Sequence, residues 1–81
     1  MEDDKFIMRL DNGMRLYQNS FTLSLQEYAK EKGIDDCRIF LAVDSNGYKE
    51  FLMVIKDQPE FASQRFEDVA VHIDIMWMRS L

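Results

Sequence analysis

The chain has 81 residues, of which 47% are apolar, enough for one small domain with a core of its own. Fifteen acidic against ten basic side chains leave a net charge of -5, which disfavours general affinity for a nucleic-acid backbone. The one cysteine, Cys37, cannot form an intrachain disulfide, and no apolar run approaches the length that crosses a bilayer.

The opening residues MEDDK are acidic and lack the basic start of a signal peptide, so a cytoplasmic location is the expectation. Residues 1–81 are expected to form a single small α+β domain, with 1–4 as a frayed tail. Phe6 to Leu10, FIMRL, is the first apolar run; Asp11-Asn12-Gly13 and then MRLY follow. Asn-Gly between two such runs signals a hairpin. Strict alternation puts Phe6, Met8 and Leu10 on one face of the first arm. In the second arm Met14 and Leu16 oppose Arg15 and Tyr17.

Gln18 to Thr22 reads as a connection. Ser24 and Glu27 have capping-box spacing, with Thr22 as a rival cap. The helix LQEYAKEK then ends at Gly33, which suits the left-handed position after a helix. Leu25, Tyr28 and Ala29 make its inward face. Such a short helix depends on packing more than on propensity.

Cys37 to Lys56 is the strongest local pattern: CRIFLAVD, then SNG, then YKEFLMVIK. It predicts a second hairpin, turning at Asn46-Gly47. Ile39, Leu41 and Val43 alternate with Arg38, Phe40 and Ala42. Phe51, Met53 and Ile55 alternate with Glu50, Leu52, Val54 and Lys56. Both faces are apolar in the middle, as in a central strand covered on two sides. Helices on one face and a partner on the other would also produce this pattern. Asp57, Gln58 and Pro59 then close the strand, because Pro59 has no N–H for a ladder.

From Val69 the chain reads VAVHIDIMWM. With period two, Val69, Val71, Ile73, Ile75 and Trp77 share a face, and the β-branched content supports a strand. With period 3.6, Phe66, Val69, Ala70, Ile73, Met76 and Trp77 form one stripe. Glu67 and Asp68 then fall in a favourable first helical turn. The helix is preferred, because its stripe begins at Phe66, where alternation fails. The predicted fold is therefore α+β with an antiparallel sheet, two β-hairpins and two helices in the order β-β-α-β-β-α. A fifth strand over 69–77 is the alternative.

No catalytic, cofactor or metal site is expected. His72 is the only histidine and has no Cys or Glu at a ligand spacing. Its use as an acid or base requires a group brought close by the fold. Cys37 follows two aspartates, which raise rather than lower a thiol pKa. The acidic runs Glu2-Asp3-Asp4, Asp35-Asp36 and Glu67-Asp68 lack EF-hand spacing. They suggest a solvated surface, or an acidic inhibitor that mimics nucleic acid. Phe40 beside Arg38 invites comparison with a sheet that stacks single-stranded bases.

The candidate interface has two parts. One is Phe40, Leu52 and Val54 on a sheet face; the other is Met76, Trp77 and Met78 at the end of the last helix. Met and Trp are enriched at interfaces. The expectation is a non-catalytic protein-interaction or regulatory module that self-associates as a homodimer or binds another protein, without membrane contact. A single-stranded nucleic-acid-binding module and a small enzyme using His72 are the alternatives.

Overall fold

A computed structural model describes residues 3–81. The elements are β1 (Lys5–Arg9), β2 (Arg15–Gln18), α1 (Ser20–Glu31), β3 (Cys37–Val43), β4 (Lys49–Ile55), β5 (Gln58–Ser63) and α2 (Phe66–Arg79). The strands form one five-stranded sheet in the order β1-β2-β3-β4-β5, and each neighbouring pair is antiparallel. The α+β class, the antiparallel sheet and the two helices follow the sequence pattern. Residues 69–77 lie within α2, so the strand alternative for them is wrong.

Both expected hairpins turn where the Asn-Gly pairs stand. In each, three residues form the loop: Gly13 N–H donates to Leu10 O at 2.9 Å, and Gly47 N–H to Asp44 O at 3.0 Å. Only the glycines take positive φ, 89° and 83°, where a Cβ would be strained. The side chains of Asn12 and Asp44 brace the loops by accepting from Met14 N and from Asn46 N.

The fifth strand is Gln58–Ser63, where the sequence predicted only a break. Lys56 and Asp57, at φ 52° and 64°, form a two-residue turn of the primed kind without any glycine. Pro59 is tolerated because β5 is an edge strand. The register also shifts between Met53 and Val54. A second irregularity corrects β1. The register shifts between Phe6 and Met8, so Phe6 pairs with Tyr17 and Met8 with Leu16. Phe6 and Met8 therefore do not share a face, and Phe6 packs edge-on against Tyr17 with ring centroids 5.7 Å apart.

Helix α1 begins five residues earlier than LQEYAKEK. Its cap is Asn19, neither Ser24 nor Thr22: Asn19 Oδ1 accepts from Thr22 N, and Thr22 Oγ1 accepts from Asn19 N, both at 2.9 Å. Met1 and Glu2 of the expected tail lie outside the described residues. Asp3 and Asp4 are tied to this same helix start. Ser20 N–H donates to Asp3 at 3.1 Å, and Asn19 Nδ2 donates to Asp4 at 3.0 Å. That backbone donor holds the Asp3 carboxyl below its ordinary pKa. At the other end, Ile34 N–H reaches back to Ala29 O at 3.0 Å and Gly33 N–H to Lys30 O at 3.0 Å, a Schellman closure.

Both helices lie on one face of the sheet, α1 mainly over β3 and α2 over β5 and β4. Between them and the sheet sit the buried Leu25, Ala29, Ile39, Met53, Val69 and Ile73. Phe66 closes the layer through edge-on contacts with Phe21 and Phe51. Ser63 Oγ donates to Asp68 at 2.7 Å and so fixes the entry to α2.

Candidate interaction surface

The face of the sheet turned away from the helices has its own apolar cluster. Strand alternation places Arg38, Phe40 and Ala42 of β3 there, paired across the ladder with Val54, Leu52 and Glu50 of β4. Leu16 of β2 stands beside Ala42. Leu16, Phe40 and Ala42 are buried, and Ile7, Leu10, Met14, Leu52 and Val54 pack against them. Among the described residues no helix lies over this cluster. A cavity of about 250 Å³ opens on it. Its floor is Leu16, Phe40, Leu52 and Val54; Met8 and Leu10 form one rim, and Asp57 and Pro59 the other.

Phe40 is only 3% exposed, so it forms the floor of this surface and does not protrude from it. The Arg38 guanidinium lies over its ring, 4.9 Å from the centroid, close enough for a cation–π attraction. Among the described residues Arg38 has no carboxylate partner, and Glu50 has no basic one. The face is therefore apolar at its centre, with Arg38 and the exposed carboxylate Asp57 at one end and Glu50 at the other.

The second part of the predicted interface does not join the first. Met76 packs against the core under α2. Trp77 is 36% exposed, and Lys32 of α1 rests over its ring at 4.3 Å. Met78 is 57% exposed on the outer side of α2. These three residues lie in the helical layer, across the sheet from Phe40, Leu52 and Val54, so the six residues divide between two opposite sides of the molecule. Alternation grouped Phe40, Leu52 and Val54 on one sheet face, and the structure groups them there as well. Met8, Leu10, Leu16, Asp57 and Pro59 were missed as lining, because β1 carries an irregularity and β5 was not foreseen.

The chemically suggestive side chains are engaged in packing. His72 stacks on Phe61 with centroids 4.3 Å apart and lies 3.3 Å from Glu60. Asp74 points elsewhere and accepts a hydrogen bond from the Tyr28 hydroxyl, which raises the Tyr28 pKa. Burial, then the carboxylate of Glu60, pushes the Cys37 thiol up to about 11, so at neutral pH it is protonated and a poor nucleophile. Among the described residues no three His, Cys, Asp or Glu side chains gather in a way that could hold a metal ion. Nor is any described helix long and apolar enough to cross a membrane.

Compared with protein-family models, curated proteins and solved structures, the chain gives no match.

Proposed function

We propose that this chain is a non-catalytic protein-interaction module whose docking surface is the open sheet face. The observation that carries the reading is the apolar cavity over Leu16, Phe40, Leu52 and Val54, on a face that no described helix covers. A sheet is stable in water when its apolar side is layered against something, and an exposed apolar patch with a polar rim commonly marks a protein contact. The volume, about 250 Å³, suits one or two large side chains of a partner better than an extended small-molecule site. Arg38 supplies a cation at the rim that a partner's carboxylate can meet.

Nucleic-acid binding is less well supported. The Phe40 ring is buried and already carries Arg38, so it offers no face to a base. A single free thiol suits a reducing compartment such as the cytoplasm.

The test is a photoreactive side chain placed at Leu52 in cells, with a second chain carrying it at exposed Lys30 on α1. The reading expects protein adducts from position 52, to this chain or another, and few from position 30. Equal yields from both positions, or none from 52, would refute it.

A further inference from the structure

We infer that the partner on the open face is a second copy of this chain, docked sheet to sheet about a two-fold axis along the Phe40–Leu52 row. This rests on the reading of that face as a docking surface. The argument comes from the register. Phe40 pairs with Leu52, Arg38 with Val54 two residues to one side, and Ala42 with Glu50 two residues to the other. Arg38 and Glu50 are thus placed symmetrically about the central row. A two-fold axis in the plane of the interface, perpendicular to the strands, exchanges the two ends. It sets the Arg38 end of each copy over the Glu50 end of its partner.

The distances permit this. Four residues of strand separate Arg38 from Ala42, about 13 Å, and face-to-face sheets pack about 10 Å apart. An extended arginine and an extended glutamate together bridge such a gap. Arg38 and Glu50 of each copy have no ion-pair partner among the described residues of the chain, so two equivalent Arg38–Glu50 pairs form around an apolar centre, with Asp57 on the rim beside each. An isologous interface requires this self-complementarity.

Shape agrees with charge. The cavity lies at the Arg38 end and the centre; Ala42 and Glu50 are not among its lining. The two-fold therefore sets the cavity of each copy over the Ala42–Glu50 end of the other. It also carries Tyr48, exposed and two residues before Glu50, toward the rim formed by Asp57 and Pro59. Five strands at about 4.8 Å spacing, the longest of seven residues, give a face of roughly 500 Å² per copy. The total of about 1,000 Å² reaches the lower bound for a specific interface. The predicted dimer is accordingly small and reversible.

Charge reversal tests it, read by sedimentation equilibrium over a concentration series. Arg38→Glu alone and Glu50→Arg alone each place like charges at both contacts, and each should weaken dimerisation by roughly tenfold or more. Mixing the two variants matches every pair and should restore a heterodimer, as should the double variant R38E/E50R with itself. Both positions are at the surface or half-buried, and circular dichroism confirms that each variant is folded. A wild-type dimer indifferent to both reversals, or weakened without rescue on mixing, would overturn the two-fold. A wild-type chain that is monomeric at every concentration would overturn the second-copy assignment. Adducts to other proteins from position 52 would in that case leave the docking face itself standing.

Discussion

The two faces of the sheet should respond differently to the same chemical change. Leu25 is 1% exposed, in the cluster between α1 and the sheet. Leu25→Ala removes three carbons there and leaves a cavity, at a cost of about 3–4 kcal/mol. A domain of this length has roughly 4–12 kcal/mol of stability in total, so the loss is a large part of it. With a urea slope near 1 kcal/mol per molar, the midpoint should fall by about 3 M. Leu52, on the open face, is half-buried, and part of its surface already meets water. Leu52→Ala should cost the isolated chain only about 1 kcal/mol, around half of a full leucine burial. The assay is urea unfolding followed by circular dichroism, at low and at high protein concentration. Self-association stabilises the folded state by mass action, so the Leu52→Ala deficit should grow with concentration and the Leu25→Ala deficit should not. A low-concentration cost for Leu52→Ala equal to that of Leu25→Ala would refute the reasoning. The open face would then be a second closed core.

Three further outcomes follow from individual contacts. Asn19→Ala removes the α1 cap and leaves the buried Thr22 amide without its partner; the expected loss is about 1–2 kcal/mol by urea unfolding, and Asn19→Ser should recover most of it. Alkylation of Cys37 by iodoacetamide at pH 8 should be on the order of 100-fold slower than that of a free thiol, and its rate should keep rising toward the pKa of about 11. Tyr28 has a raised pKa in the folded state, so folding holds its proton longer than the unfolded chain does. Its contribution is present below the ordinary phenol value near 10 and is lost as pH rises above it. Tyr28→Phe should therefore flatten the alkaline decline in stability, measured as urea midpoints at pH 8 and pH 11.

The parts of the fold that were legible rest on side-chain pattern. Alternation in Ile39–Val43 and Phe51–Ile55 gave the central hairpin and both of its faces, and the stripe from Phe66 to Met76 gave α2. What was not legible depends on backbone geometry or on distant partners. Lys56 and Asp57 turn the chain with positive φ, which no glycine announces, so Pro59 read as a stop instead of an edge position. Asn19 and Thr22 outcompete the better-looking Ser24 and Glu27, because Asp4 holds the Asn19 amide as well. The open face was visible in Phe40, Leu52 and Val54. The burial of Phe40 was not, since Leu10 and Met14 come from another hairpin and Arg38 folds over the ring. Trp77 looked available for an interface because nothing near it in sequence reveals that Lys32, on the other helix, sits on its indole.

The most direct test of the proposed docking face is methyl NMR of the wild-type chain over a concentration series. The account predicts concentration-dependent shifts for Met8, Leu52 and Val54, on the face away from the helices. It predicts none for Leu25, Val69 and Ile73 beneath them, nor for Met78 on the outside of α2. Shifts centred on Val71 and Met78 would contradict it, by placing the contact on the helical side of the molecule.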